Sequence, residues 1–380
     1  MKLFDVYSLY DVEIVKAKGS KVWDAQGVEY LDMYGGHAVI SIGHTNPHYV
    51  DTLKKQLDQI GFYSNSVIIS SQRVLAEKLG KISGKEDYQL FLCNSGAEAN
   101  ENAMKLASFD TGKSKIVVFS GSFHGRTSLA VEATDNKSII APCNVSGNII
   151  QSPFNDIDAL TTLFEKRGGE IAAVIIEGIQ GVGGIQIPDV DFVRTIRKLC
   201  DKYNSRMIAD EVQSGCGRSG SYYAIDLAGV QADIYTMAKG IGNGFPIGAI
   251  SIAPKIEAKK GMLGTTFGGN HLAVAAAIAV AEEIESGNLI AGAKEKGEFL
   301  MQELKGKLPK EKVKDIRGHG LMIGLELNED STEIRKRLIS EKHMFVGSAK
   351  NKNIIRLLPA LTISIEECKD AVQRICDIFS

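Results

Sequence analysis

From residue 70 to residue 252 the chain alternates between stretches with an apolar residue every three or four positions and short runs that are apolar almost throughout. The first pattern predicts helices at Ser71–Leu79, Gly96–Phe109 and Phe192–Tyr203. The second predicts strands at Tyr88–Leu92, Ile116–Phe119, Ile171–Ile176, Arg206–Ala209, Ile234–Ala238 and Ile247–Ile252. A strand that is apolar at every position is buried on both faces, and intervening helices then cover a mostly parallel sheet. The expected fold class is α/β. Ligands of such sheets lie beyond the carboxyl ends of the strands, which draws attention to the residues that follow each strand.

The flanks have a different texture. Ile14–Lys18, Lys21–Asp24 and Tyr30–Tyr34 read as three short strands, with turns at Gly19-Ser20 and Asp24–Gly27 and a break at Gly35-Gly36. So small a meander cannot bury itself and must pack on something later. Pro47–Leu57 reads as a helix with proline in its first turn. After Gly269, His271–Glu285 and Ile290–Leu308 are helical, Ile316–Glu326 is strand-like but broken by glycines, Ser331–Glu341 is helical, Ile354–Leu357 is a strand and Ile365–Phe379 a final helix. This suits a small α+β domain. No internal repeat or low-complexity linker is present.

Composition narrows the function. The chain has 380 residues and a net charge of −2, which gives no electrostatic footprint for nucleic acid or an anionic membrane. Its longest apolar run, Leu272–Ala281, has about half the length needed to span a bilayer. The start, Met1-Lys-Leu-Phe-Asp5, lacks the apolar stretch of a signal peptide. Cysteines stand at 93, 143, 200, 216, 368 and 376 with no Cys-x-x-Cys pair, so neither a zinc knuckle nor a disulfide framework is suggested. The expected setting is cytoplasmic. His44 and His48 are four apart, but Pro47 between them and the lack of a neighbouring acid argue against a metal helix, and no metal site is expected.

The strand ends carry the chemistry. Tyr88–Leu92 runs into Cys93-Asn-Ser-Gly-Ala-Glu98, where Ser95 and Glu98 form a capping-box pattern and Gly96 and Ala97 offer backbone N–H groups at a helix N-terminus, a ready phosphate site. Ile116–Phe119 runs into Ser120–Thr127, in which Phe123 can stack on a planar ring and Arg126 can fork onto a carboxylate. Ile171–Ile176 runs into Glu177–Gly184, and Arg206–Ala209 into Asp210-Glu-Val-Gln213. An acid directly after a buried strand needs a cationic partner, and a protonated pyridine nitrogen is one such partner. Finally, Ile234–Ala238 delivers Lys239 into the glycine-rich turn Gly240–Pro246; a partly desolvated lysine is a nucleophile toward carbonyls. Ala107–Ser114 approximates a phosphate-binding loop, but a helix precedes it and a strand follows, the reverse of what such a loop requires.

Asn94–Ala99, Phe123–Thr127, Asp210–Gln213, Ala238–Gly240 and Thr265–Asn270 occur in this order, with Gly43-His44 near the start and Ile355–Leu357 near the end. The set resembles the class III pyridoxal-phosphate aminotransferases, and among them the acetylornithine and succinylornithine aminotransferases, over essentially the whole chain. The resemblance implies the type I fold: a seven-stranded, mostly parallel sheet with helices on both faces in a large domain (46–255), and a small domain (256–380) with which the N-terminal segment (1–45) packs. It also implies a homodimer with shared active sites. By the same resemblance, Lys239 holds the cofactor, pyridoxal 5'-phosphate, covalently and shuttles a proton. Asp210 pairs with the cofactor's ring nitrogen, Gln213 meets its 3-oxygen, Phe123 and Val212 sandwich the ring, and Glu211 belongs to the same cofactor-binding run. Gly96 and Ala97 hold the phosphate, joined by Thr266 from the partner subunit. Arg126 and Thr265 contact the acylornithine, Arg356 takes the carboxylate of 2-oxoglutarate or glutamate, and Glu177 lies in the substrate-binding loop. The implied reaction moves the side-chain amine of an N-acylornithine to 2-oxoglutarate in arginine biosynthesis. An ornithine or other omega-amino-acid aminotransferase, or an aminomutase with the same cofactor, is the alternative. Where relatives carry a second glutamate after this loop glutamate, able to pair with the arginine matching Arg356, the present chain has Val182. Gly178 stands where they have proline, and His37 and Ile40 are also unusual.

Overall fold

The computed structural model describes residues 1–379. Three strands open the chain, β1 (Ile14–Lys18), β2 (Lys21–Asp24) and β3 (Glu29–Asp32). The central series follows as β4 (Gln89–Cys93), β5 (Lys115–Phe119), β6 (Ile149–Ser152), β7 (Ile171–Glu177), β8 (Arg206–Asp210), β9 (Ile234–Met237) and β10 (Gly248–Ile252). The last are β11 (Val313–His319), β12 (Met322–Leu327), β13 (Met344–Phe345), β14 (Gly347–Ser348) and β15 (Ile354–Leu357). Among the described residues no helix is long and apolar enough to cross a membrane.

The central sheet has seven strands in the order β4-β10-β9-β8-β7-β5-β6. Strands β5 to β9 pair in parallel, and β10 runs antiparallel to both β9 and β4. The expected mostly parallel α/β sheet is therefore present, and its reversal at β10 has a simple cause. Residues 238–247 are too few for a crossover helix, so the chain can only turn back beside β9. Every residue of β7 and β8 is buried, including the charged Glu177, Arg206 and Asp210 at their ends. The pattern predicts no element over 128–170. The structure places there the edge strand β6 and the helix Ile157–Arg167, capped by Asp156, whose side chain accepts the Ala159 N–H. An edge strand is only partly buried and lacks the apolar continuity that marks its inner neighbours.

Two further sheets lie beside the large one. β1, β2 and β3 form the expected meander, which β13 extends in parallel from the far end of the chain, Met344 opposite Leu31. β3 stops at Asp32 because the Asp32 carboxylate accepts the N–H groups of Tyr34 and Gly35 and turns the chain. The stretch Ile316–Glu326, expected as one strand, is a hairpin of β11 and β12: Gly320 adopts φ +54°, a left-handed conformation that reverses the direction there. β11-β12-β15-β14 complete the third sheet. The helix His271–Ser286 joins the two main cores. Ala273, Val274 and Ala277 pack with Leu75 of the helix Ser70–Ser83 and with Tyr235 and Met237 of the large sheet, whereas Ala276, Ala279 and Val280 pack with Leu31, Leu300 and Leu357. Lys113, in the loop that mimics a phosphate site, donates its ammonium to the carbonyls of Gly168 and Asn204.

Candidate active site

Lys239 follows β9 in a one-turn 3-10 segment, Lys239–Ile241, with φ +48°. A side chain disfavours this conformation by roughly 1–2 kcal/mol, so surrounding bonds must hold it. They come from the chain start: Ser41 Oγ donates to the Gly240 carbonyl at 2.6 Å, Asn243 Oδ1 accepts the N–H groups of Ser41 and Ile42, and Asn243 Nδ2 donates to the Gly43 carbonyl. The segment after Gly36 is thereby docked against the Lys239 turn. Desolvation lowers the proton affinity of the Lys239 amine, with Arg356 and Arg218 adding to the effect and Asp210 and Glu177 opposing it.

The acids at the ends of β7 and β8 are buried. Asp210 Oδ2 accepts from His124 Nδ1 at 2.7 Å and from Asn100 Nδ2 at 2.8 Å, while Oδ1 accepts the Val212 N–H at 3.0 Å. Asn100 is fixed in turn by Thr236 Oγ1, which donates to its Oδ1 at 2.7 Å. The Asp210 carboxylate thus has its partners on three elements and no arginine among its hydrogen-bonding neighbours. Glu177 accepts the N–H groups of Phe123 and Gly181, both at 3.0 Å, and burial pushes its carboxyl well above the usual range.

A cavity of about 270 Å³ lies at the carboxyl ends of these strands, lined by Gly96, Ala97, Asn100, Phe123, His124, Gly125, Arg126, Glu177, Val182, Asp210, Val212, Gln213 and Lys239. Residues 116 positions apart in the chain, Phe123 and Lys239, share this wall. Gly96 and Ala97 start the helix Gly96–Thr111, where the first-turn N–H groups have no intrahelical acceptor. A Cβ on Gly96 would stand 2.7 Å from Val212 Cγ1, so only glycine lets the helix end approach Val212. The cap differs in detail from the expected box: Ser95 Oγ accepts the Glu98 N–H at 3.1 Å, but the Glu98 carboxylate reaches back to the Asn94 N–H at 2.8 Å rather than to that of Ser95.

Four of the expected site residues, Glu211, Thr265, Thr266 and Arg356, are not among those lining this cavity. Glu211 does not line the cavity; its carboxylate is buried in the fold, where it accepts the Ile225 N–H at 2.8 Å and the Ser214 hydroxyl at 2.7 Å. Alternation along an extended chain turns Glu211 away from the face that Asp210 presents. Thr265 Oγ1 accepts from Asn94 Nδ2 and from the Gly268 N–H, and Thr266 is exposed; neither lines this chain's own cavity. Arg126 is on the exposed rim. Arg356 is buried beside the lining residues: its Nη1 donates to Gln213 Oε1 at 3.1 Å and its Nε to the Ser348 carbonyl. Gln213 Nε2 donates to the His37 carbonyl at 3.1 Å, and the His37 ring bonds the Tyr34 hydroxyl. The histidines of His44–His48 diverge, His44 to Asp32 and His48 to Glu282.

Asn100 and His124 escaped the sequence reading. Asn100 is a polar residue on the inward face of an alanine-rich helix, and that placement was the available signal. His124 lies between two residues singled out for roles of their own, and nothing in the sequence ties it to Asp210.

A family model described as "Aminotransferase class-III" matches residues 6–379. The acetylornithine aminotransferase of Bacillus subtilis (strain 168) is 40% identical over 376 residues, covering 98% of this chain and 96% of that protein. Among solved structures, the acetylornithine aminotransferase of Elizabethkingia anophelis superposes with a TM-score of 0.85 at 29% identity, covering 98% of this chain and 94% of that one. The ornithine aminotransferase of Toxoplasma gondii ME49 superposes with a TM-score of 0.91 at 27% identity, covering 98% and 91%. With a match over nearly its whole length and a site built at the carboxyl ends of a type I sheet, the chain belongs to the class-III aminotransferases, transaminases that work with pyridoxal 5'-phosphate.

Proposed function

We propose that this transaminase moves the side-chain amino group of an N-acylornithine to 2-oxoglutarate, giving the N-acylglutamate semialdehyde and glutamate, a reaction of arginine biosynthesis. The observation that carries the reading is the cavity itself: a lysine of lowered proton affinity faces a buried carboxylate network, with one guanidinium on the rim and a second, without an acidic partner within bonding distance among the described residues, buried behind Gln213. Relatives named acetylornithine aminotransferase at 38–40% identity, covered over nearly their whole length, make N-acetylornithine the first donor to test.

The residues present fit the cofactor. Free N–H groups at a helix start suit a phosphate, a flat ring fits between Phe123 and Val212, and Asp210, oriented by His124 and Asn100, suits a protonated ring nitrogen. When bound, the cofactor supplies an electron-withdrawing ring that stabilises negative charge at the donor carbon. The protein's part is placement and proton transfer. Lys239 Nζ takes the proton from the amine-bearing carbon of the donor and returns it at the other end of the transferred nitrogen, and its lowered proton affinity leaves more of it neutral to do so. Asp210 would hold the proton on the ring nitrogen of the bound cofactor. Arg126 and Arg356, on separate elements, take the carboxylates of the two substrates in turn. Glu177, with a raised pKa, adds less negative charge beside them than an ordinary carboxylate.

Three finer readings accompany this one. The acyl group is succinyl as readily as acetyl, because the aliphatic Val182 adds no second acid beside Glu177 to compete for Arg356. The active unit is a homodimer with shared sites: Phe62 and Phe267 form an exposed aromatic pair beside Thr266, and Tyr63 is exposed with them. The chain divides into an N-terminal segment (1–45), a large domain (46–255) and a small domain (256–380), and works in the cytoplasm. The decisive experiment is kcat/KM for N-acetylornithine, N-succinylornithine and ornithine with 2-oxoglutarate, alongside Lys239→Ala. Turnover of either acyl donor well above ornithine, lost in Lys239→Ala together with borohydride fixation of the cofactor to the chain, is expected. Preference for free ornithine, or a fully active stable monomer, would overturn the corresponding part.

A further inference from the structure

Lys350 lies in the loop between β14 and β15, just after Ser348, whose carbonyl holds Arg356 Nε. Its backbone N–H donates to the Val182 carbonyl at 2.9 Å. Its ammonium donates to Asp135 twice, to the backbone carbonyl at 2.5 Å and to Oδ2 at 2.9 Å. The same Asp135 Oδ2 accepts the Gly121 N–H at 2.7 Å, and the Asp135 N–H donates to the Ser122 carbonyl at 2.9 Å. Gly121 and Ser122 open the turn that carries Phe123, His124 and Arg126 to the cavity. One ion pair therefore adds a bond across three elements that already touch, the Arg126 turn, the Val182 loop and the strand of Arg356: Gln180 Nε2 donates to the Ser120 carbonyl at 2.9 Å, and Gly184 lies against Ile354.

The Val182 loop is bonded to its neighbours on both sides of Val182, at Gln180 and at Gly184. It is glycine-rich from Gly181 to Gly184, and Arg317 holds its far end, donating to the carbonyls of Gly184 and Ile185. At Val182 itself the Lys350 N–H is the bond to the backbone, and the side chain there is an aliphatic one that cannot pair with Arg356. We infer that the Lys350–Asp135 pair is a clasp that sets the spacing between the two carboxylate-binding arginines, Arg126 and Arg356, and so acts as a positioning pair for both substrates. The inference rests on the proposed roles of those two arginines. Burial alone would raise the Asp135 carboxyl, but the Gly121 N–H and the Lys350 ammonium hold it below its ordinary value, as expected of a carboxylate that stays charged in this arrangement. The pair is partly open to solvent, so its strength is that of a surface ion pair sharpened by shared partners, and salt weakens it.

The test uses the full-length enzyme loaded with its cofactor, with variants Lys350→Met, Asp135→Asn, the double variant and Lys350→Arg. KM for 2-oxoglutarate and for the acylornithine should rise by up to about fivefold in each single variant with kcat much less affected, the range for loss of an exposed pair. The double variant should be no worse than either single one, Lys350→Arg should restore most of the loss, and KM should rise with ionic strength more steeply in wild type than in the variants. Unchanged KM values, additive losses in the double variant, or no recovery in Lys350→Arg would overturn the clasp. Amide hydrogen exchange of peptides spanning 116–127 and 178–186 separates this from an error in the arginine roles. Faster exchange in both peptides of Lys350→Met, with KM insensitive to Arg126→Lys and Arg356→Lys, would keep the clasp and refute those roles. Unchanged exchange would refute the clasp itself.

Discussion

Glu211 sits directly after Asp210, and its burial makes protein stability depend on pH in a measurable way. Its carboxyl is 1% exposed, and burial pushes it from its ordinary 4.5 up to about 7, with the Ser214 hydroxyl and the Ile225 N–H opposing the rise. A carboxyl whose folded-state pKa is raised contributes stability that is fully present below the unfolded value and is lost as pH climbs through the folded one. Between pH 4.5 and 7 the folded protein therefore binds a proton that the unfolded chain has released. At 1.36 kcal/mol per pH unit the cost of burying the charge reaches about 3 kcal/mol by pH 8. Glu211→Gln copies the protonated acid: the amide oxygen accepts the Ile225 N–H and the amide nitrogen donates to Ser214 Oγ. Urea unfolding of the two cofactor-free proteins from pH 4.5 to pH 8 gives the difference curve directly. The variant should match wild type near pH 4.5 and become more stable by up to about 3 kcal/mol at pH 8. Cofactor affinity should stay within about twofold, because Glu211 does not reach the cavity. A flat difference curve would mean that the carboxylate remains ionised and satisfied by its donors. A curve that favours wild type as pH rises would refute the reasoning outright.

Three other outcomes are expected. Asp210→Asn keeps the fold but removes the charge that His124 and Asn100 orient, so single-turnover transamination should slow by about 100-fold or more, the range for loss of one preorganised electrostatic partner; near-normal rates would move that role elsewhere. In Gly181→Ala the new Cβ would fall 1.8 Å from Gln213 Oε1, which forces Gln213 off Arg356. KM for 2-oxoglutarate should then rise about tenfold, as for loss of a charge-assisted hydrogen bond, with unchanged circular dichroism as the control. Val182→Glu puts an acid in the cavity wall, where two like charges at about 4 Å cost about 4 kcal/mol at an effective dielectric of 20. The ratio of kcat/KM for succinylornithine to that for acetylornithine should fall, and a ratio that is unchanged or higher would dismiss the electrostatic argument.

Local sequence was sufficient for much of the architecture. The apolar runs Ile171–Ile176 and Met207–Ala209, too short for helices, read as strands covered on both faces, and β7 and β8 are buried at every position. Residues placed directly after such strands are carried to one edge of a parallel sheet by geometry alone, so Phe123, Asp210, Val212, Gln213 and Lys239 were legible as neighbours before their contacts were known. Sequence order and side-chain type do not encode which of several polar groups meet across that edge. Asn100, 110 residues from Asp210, and His124 bond its carboxylate because the helix Gly96–Thr111 and the turn after β5 happen to converge there. Orientation was equally hidden: Glu211, adjacent to Asp210, faces the interior because successive side chains of an extended segment point opposite ways, and one residue of register separates a cavity wall from a structural bond. The hairpin at Gly320, the antiparallel turn-back at β10 and the parallel addition of β13 to β3 belong to the same class. The turn-back and the addition of β13 are settled by chain length between elements and by long-range pairing, and the hairpin by the backbone conformation of Gly320. The hydrophobic periodicity of a segment reports only how deeply that segment is buried, not what it is buried against.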